Sequence, residues 1–317
     1  MSLRKCSKGM RHYVDKTKIV YDQVKIKFLD GSSTMYLKKG DEELQIVYST
    51  REVARGHRIN GVAQDRTRFV ESYEYPDPLV FDFIAIVSRP TVTVNSLKLS
   101  QIASDSSAES ARANRERKHF LGILKHCLRG FIQARRLYFA SGPYFSDDDA
   151  GEDVVLLLQL LHPGVIKSLN LFLFGREPQS LERIIDISTW RRAKWLRLFC
   201  RYCAPVENMT HFTFFQVTPK TLTIQDVDLL VQAAINHGEE FISYQLVILD
   251  TFWHRDAVLD HISNSPYASP PEEQRVAGQV YIHTEFGWII IAKHVIGRDI
   301  EYIPYDDDIL PIQVPQQ

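Results

Sequence analysis

Cys200-Arg201-Tyr202-Cys203, with His211 shortly after, is the tightest grouping of side chains able to do chemistry in this chain. Two thiolates at C-x-x-C spacing can hold half of a tetrahedral zinc site. Zinc needs four ligands, however; His211 would be a third, no second cysteine pair exists, and nothing obvious is a fourth. The plainer reading makes the cysteines two small apolar side chains at the end of a strand that begins at Leu196. His254 and His261 lie near Asp256 and Asp260, a set that would suit acid/base chemistry, although such proximity arises readily by chance on a polar helix. Two basic runs, Arg112, Arg115, Arg117 and Lys118, then Arg191, Arg192, Lys194 and Arg197, could touch phosphates, and Trp190 and Trp195 interleave the second. The alternative puts the tryptophans in a core and the basic side chains in water. The chain carries no G-x-G-x-x-G, P-loop, H-E-x-x-H or G-x-S-x-G motif. No enzyme is expected, and no catalytic, cofactor-binding or metal-ligating residue.

Composition alone does not say what this protein does. At 317 residues, 44% hydrophobic and 24% charged, the chain falls in the range of globular proteins, long enough for one large or two ordinary domains. Lys+Arg 38 against Asp+Glu 39 leaves a formal net charge of -1, so there is no global pull toward nucleic acid or an acidic membrane. Neither is expected as a partner. Apolar runs such as Val154 to Leu161 are far short of a membrane span. The start, MSLRKCSKGM, has no apolar signal region, and the four cysteines, Cys6, Cys127, Cys200 and Cys203, are too sparse for a disulfide framework. The expectation is a soluble intracellular protein, cytoplasmic or nuclear.

The elements around these residues divide the chain. Residues Ser2 to Lys18 place Leu3, Cys6, Met10, Tyr13 and Val14 on one face of an amphipathic helix, which needs packing elsewhere to be stable. The apolar side of the following segment, Val24, Ile26 and Phe28, is where it is expected to dock. Residues 19–50 alternate in period two and are interrupted by Asp30-Gly31 and Lys39-Gly40-Asp41, predicting an antiparallel meander. Residues 51–79 lose both periods and are predicted as a loop. Beyond them, Val80, Phe83, Ile84 and Val87 fit a helical face, although a buried strand reads almost as well; a Ser-rich loop spans Ser100 to Ala113, and Phe120, Leu124, Cys127, Leu128 and Phe131 share a second helix face.

Strand-like triplets then recur. They begin at Leu97, Leu137, Leu169, Leu196, Leu222 and Leu246, at intervals that shorten toward the ~20–29 residue period of leucine-rich repeats. Each strand-helix unit has an apolar face too small to bury alone, so stacking units makes one core. The predicted fold class is therefore α/β: an irregular leucine-rich-repeat-like solenoid of strand-helix units over residues 80–300, with an N-terminal helix and a small antiparallel meander. The strands should lie side by side, with Leu124, Leu128, Leu157, Leu169, Leu171, Leu198 and Trp195 buried. Val280 to Ile296 reads as a closing hairpin, and residues 301–317, with Asp306, Asp307 and Asp308, as an acidic tail.

The ordered landmarks resemble a known family. Leu3-Arg4-Lys5-Cys6-Ser7 through Tyr13-Val14-Asp15-Lys16-Thr17-Lys18 is similar to the last helix of the F-box in the large nematode family of F-box proteins that carry an FTH domain. Asp82-Phe83-Ile84, Ser96-Leu97-Lys98-Leu99, Leu161-His162-Pro163-Gly164, Trp190-Arg191-Arg192-Ala193-Lys194, His211-Phe212 and Leu222 to Val227 resemble FTH landmarks in order. The resemblance implies a substrate-recognition adaptor, with the F-box docking on a Skp-type linker of a cullin-RING ubiquitin ligase and the FTH domain selecting a protein target. It also implies that residues 1–18 are the remnant of the last F-box helix, the earlier helices being absent, so that linker binding would be weak. A free-standing protein-binding module is the alternative. Partner-binding residues are not identified; they would sit on the strand-lined face.

Overall fold

In the computed structural model, the described residues are 17–29, 32–49, 52–59, 62–69, 77–101, 107–128, 130–141, 148–173, 179–200, 205–217, 222–249, 261, 279–284 and 287–294. Nearly all of the expected N-terminal helix and the acidic tail lie outside them.

The strands are β1 (Ile19–Leu29), β2 (Ser32–Lys39), β3 (Glu42–Ser49), β4 (Glu52–Ile59), β5 (Val62–Phe69), β6 (Val92–Gln101), β7 (Ala134–Ala140), β8 (Ser168–Phe172), β9 (Trp195–Phe199), β10 (Phe214–Val217), β11 (Ser243–Leu249), β12 (Gln279–Thr284) and β13 (Gly287–His294). They form one sheet, ordered β12-β13-β11-β10-β9-β8-β7-β6-β1-β2-β3-β4-β5. The α-helices are α1 (Asp77–Val87), α2 (Ser107–Cys127), α3 (Asp148–Leu160), α4 (Ser188–Arg192) and α5 (Ile224–His237), joined by short 3-10 segments such as Gln179–Asp186.

Strands β6 to β11 are parallel and adjacent in chain order, as expected when each parallel strand needs a long crossover and successive units become neighbours. The meander is continuous with them, because β1 pairs parallel with β6 across the register Val24↔Leu97 and Ile26↔Leu99. Its β2–β3 turn uses Gly40 at φ 57, a left-handed conformation that glycine adopts without a Cβ clash. The Gly40 amide donates to Asp22 Oδ2 at 2.6 Å. The expected closing hairpin is the antiparallel pair β12–β13.

One spacing builds the core. Apolar residues recur as a triplet at positions one, four and six: Val94-Leu97-Leu99, Ala134-Leu137-Phe139, Ile166-Leu169-Leu171, Ala193-Leu196-Leu198, Phe212-Phe215-Val217 and Phe241-Tyr244-Leu246. Every one of these side chains is buried in a single cluster. The second and third members align across the sheet, Leu97↔Leu137↔Leu169↔Leu196↔Phe215↔Tyr244, and continue into Val24 and Ile26 of β1. The same cluster holds Leu79, Phe83, Phe120, Leu124, Val154, Leu158, Val227 and Leu230 from the helices. Phe172 and Phe214, which alternate to the other face, are buried outside it. The helices thus cover one face of the sheet. The apolar side of β1 that was expected to receive the N-terminal helix meets α2, with the Phe28 and Phe120 rings 5.5 Å apart.

Several expectations are corrected. Residues 51–79 hold β4, β5 and the start of α1; Ile59 pairs with Val62, so Asn60-Gly61 between them was a two-residue hairpin signal. Leu222 begins no strand. It is buried just before α5, while the neighbouring strand is the aromatic β10. Thr223 caps α5: its hydroxyl accepts from the Asp226 amide at 3.2 Å, and the Asp226 carboxylate accepts from the Thr223 amide at 2.8 Å, a reciprocal pair that satisfies two otherwise orphaned donors. Helix α2 starts at Ser107, inside the expected loop; its Ala-rich first turns have high helix propensity despite low hydrophobicity. Phe131 falls beyond that helix and is exposed, edge-on to His162. Trp195 is 36% exposed. The other side chains expected in the core are buried: Leu124, Leu128, Leu157, Leu169, Leu171 and Leu198. Among the described residues, no helix is long and apolar enough to cross a membrane.

Candidate functional site

The C-x-x-C reading does not assemble a site among the described residues. Cys200 is buried at the end of β9, and Cys203 lies outside the described residues. His211 precedes β10, whose first residue pairs with Trp195 at the start of β9. His211 and Cys200 therefore flank opposite ends of a five-residue strand, about 16 Å of rise, too far to share one metal ion. The His211 Nε2 lies 3.0 Å from the Trp190 carbonyl, and burial holds its imidazole below the ordinary histidine range. His261 meets Asp228 at 2.7 Å; His254, Asp256 and Asp260 are outside the described residues. No group of three or more His, Cys, Asp or Glu able to hold a metal occurs among the described residues.

The basic runs are divided by the fold. Arg117 is internal, 1% exposed: Nε donates to Asp153 Oδ2 at 2.9 Å, Nη1 to Gln101 Oε1 at 3.2 Å and Nη2 to Asn114 Oδ1 at 2.8 Å. Its guanidinium lies over the Phe139 ring at 5.4 Å. This buried residue clamps α2 to α3 and β6, where a solvated face was expected. In the second run, Trp190 is core, edge-on to Phe212 at 5.0 Å. Arg191 pairs with Asp186 at 2.8 Å and Lys194 with Glu240 at 2.5 Å. Trp195 and Arg197 alternate to the opposite face of the sheet, which is helix-free among the described residues.

That face is the strongest candidate site. Its rows follow from the register: Lys25, Lys98, Tyr138, Asn170, Arg197, Gln216 and Gln245 are successive neighbours across β1 and β6 to β11. The flanking rows hold Gln23, Ser96, Arg136, Ser168, Trp195 and Phe214, then Lys27, Ser100, Ala140, Phe172 and Phe199. Across β2 and β3 the Gln23 row continues into Lys38 and Glu43. The aromatic side chains form a stack, Tyr138 to Phe172 at 5.2 Å and Phe172 to Phe199 at 4.9 Å with a 10° interplanar angle. Trp195 leans on Phe214 at 5.9 Å, and Arg197 covers the Phe214 ring at 5.8 Å. At the β1–β2 side, the Lys27 ammonium sits 5.4 Å from the centre of the Tyr36 ring; burial, then the charge of Glu43, pushes the Tyr36 phenol up, so it stays protonated. Such a surface, cationic and aromatic, carries side chains able to bind a partner. The middle residue of each apolar-x-apolar strand triplet was the sequence signal for it.

The helix side carries a groove between α2 and α3 lined by Lys118, Leu121, Lys125, Val155 and Arg183. Arg183 is paired there with Glu152 at 2.6 Å.

The family model of the FTH domain matches residues 150–258, from within α3 through β11. This supports the FTH resemblance over that stretch, which contributes Phe172, Trp195, Arg197, Phe199 and Phe214 to this face; Lys25, Lys27, Lys98 and Arg136 lie upstream of it. No curated protein and no solved structure matches the chain.

Proposed function

We propose that this protein is a target-recognition adaptor of a Skp/cullin-RING ubiquitin ligase, binding another protein through the helix-free face of a leucine-rich-repeat-like solenoid. The observation that carries the reading is the division of the sheet: one face is buried under helices by the repeating apolar triplet, while the other aligns cations and aromatic rings across adjacent strands. Sequential parallel strands with the described crossover helices on one side resemble the geometry of repeat proteins, which present the other face to partners. The FTH match at residues 150–258 adds support, because the resemblance places that domain beside an F-box. No catalytic residue, cofactor or metal belongs to this reading, and ubiquitin transfer would be carried out by the ligase.

The test is calorimetric titration of a Skp-type linker into this protein and into a fusion that carries a complete F-box. Saturable binding by either supports the adaptor reading. Failure of both would remove the ligase from the proposal and leave a free-standing protein-binding module. That second reading has its own support, since the candidate face is built from β1 onward.

A further inference from the structure

We propose that the rim of the sheet where β7, β8 and β9 begin binds a phosphorylated side chain of the target protein, held by Arg135, Arg136, Lys167 and Lys194. The inference deepens the protein-binding reading and rests on it.

The first argument is alignment. The backbone ladder runs one residue ahead of β8, β9 and β10. The Lys167 amide donates to the Arg135 carbonyl at 2.7 Å, the Lys194 amide to the Lys167 carbonyl at 3.0 Å and the Thr213 amide to the Lys194 carbonyl at 2.9 Å. Arg135, Lys167 and Lys194 are therefore neighbours across the sheet, spaced about 4.8 Å apart. Arg136 is the next residue of β7 and pairs with Ser168.

The second argument is that these charges are open and uncompensated. Arg135, Arg136, Lys167 and Lys194 are all exposed. Among the described residues, the Arg135, Arg136 and Lys167 side chains make no ion pair. Lys194 pairs with Glu240, but the two side chains are 57% and 66% exposed, so the pair contributes little and gives way readily. Like charges side by side on neighbouring strands repel, and a dianion seated among them relieves that repulsion. A phosphorylated side chain carries about -1.5 to -2 charges and three acceptor oxygens, which suit arginine forks and a lysine point charge together.

The third argument is the boundary of the patch, which separates a single phosphate from a polynucleotide. On one side, Val94 pairs with Ala134 and Ser96 with Arg136, which sets Asn95 opposite Arg135. Asn95 Nδ2 donates to the Asp22 carboxylate of β1 at 3.2 Å. On the other side stand Glu239 and Glu240, in the turn before β11. Carboxylates thus close both ends of a cationic stretch three strands wide, about 10 Å. A nucleic acid needs a cationic track that neutralises phosphate after phosphate, and here it would meet those carboxylates. A peptide with one phosphate among neutral residues does not. Trp195 follows Lys194 and is 36% exposed, so it offers apolar contact to a residue beside the phosphate.

Fluorescence anisotropy tests this on the full chain. The probes are three fluorescein-labelled peptide libraries with randomised flanks around a central phosphoserine, serine or glutamate, and single-stranded polyuridine RNA is the competing class. The phosphoserine library should bind saturably and more tightly than either of the others, with affinity falling as salt is raised. Arg135→Glu and Lys167→Glu should each weaken it by about tenfold or more, as reversal of an interfacial charge does. Arg135→Gln should weaken it in the same direction without adding a carboxylate, and circular dichroism reports whether a variant has merely unfolded. Arg115→Glu, the same charge change on an exposed residue of α2, should leave binding unchanged. No saturable binding of the phosphoserine library, equal binding of the serine or glutamate library, tighter binding of RNA, or an Arg115→Glu effect as large as that of Arg135→Glu would overturn the proposal. Linker binding is read separately, so failure here leaves the adaptor reading standing, and failure of linker binding leaves this one intact.

Discussion

Removing Asp153 should cost far more stability than removing a surface carboxylate. The Arg117 side chain is 1% exposed and that of Asp153 is 10% exposed, with Nε and Oδ2 2.9 Å apart. In the Asp153→Ala variant the guanidinium loses its 2.9 Å carboxylate partner while Gln101 and Asn114 remain as neutral acceptors, and it sits against Phe139 where water is scarce. Breaking one side of a buried pair typically costs about 3–5 kcal/mol, because the remaining charge is left uncompensated. The Glu152→Ala variant is the control: its pair with Arg183 is equally short at 2.6 Å, but the side chains are 60% and 51% exposed, and exposed pairs contribute about 0–1 kcal/mol. Since a domain is stable by only about 5–15 kcal/mol, the two variants should separate clearly in urea unfolding. The double variant Arg117→Met/Asp153→Leu should recover much of the loss, because it removes both desolvated charges and keeps the volume. A loss below about 1 kcal/mol for Asp153→Ala, equal to that for Glu152→Ala, would show that the Arg117 site is solvated and the packing argument wrong.

Three further outcomes are expected. Tyr244 is fully buried, stacked on Phe215 at 4.2 Å, and its hydroxyl has no hydrogen-bond partner among the described residues. Tyr244→Phe should therefore hold or raise stability by about 1 kcal/mol; a loss of that size in urea unfolding would mean the hydroxyl is satisfied. Thr223→Ala removes the capping box of α5 and should cost about 1 kcal/mol, with Thr223→Ser restoring it; an unchanged midpoint would refute the cap's contribution. Because burial lowers the His211 pKa, the unfolded chain takes up a proton first as pH falls below the ordinary value of about 6.5. Stability should thus drop between that pH and the lower folded pKa. His211→Gln should flatten this part of the stability profile, and an identical slope in the two proteins would contradict the assignment.

Leu97-Lys98-Leu99, Leu137-Tyr138-Phe139, Leu169-Asn170-Leu171 and Leu196-Arg197-Leu198 were legible as strands, because period-two alternation with a buried face is a local property of the chain. The same triplets state which residues point away from the core, Lys98 and Arg197 among them. The meander and α1 were equally local. What escaped were segments whose signal is not apolar period: Asn60-Gly61 between β4 and β5, the Thr223 to Asp226 capping box, the alanines that start α2, and β10, where phenylalanine replaces leucine. Those were present in the sequence and outweighed by counting leucines.

Other features belong to the tertiary structure alone. Arg117 reads as one more cation on a polar helix until Asp153 of α3 and Gln101 of β6 close over it. Lys25 stands beside Lys98 because β1 pairs with β6 rather than remaining in a separate meander. Alternation tells each strand which side chains share a face. It carries no information about which strands will be neighbours or in what register, since that choice is made by the burial of β1, β6 and α2 against one another in a single core.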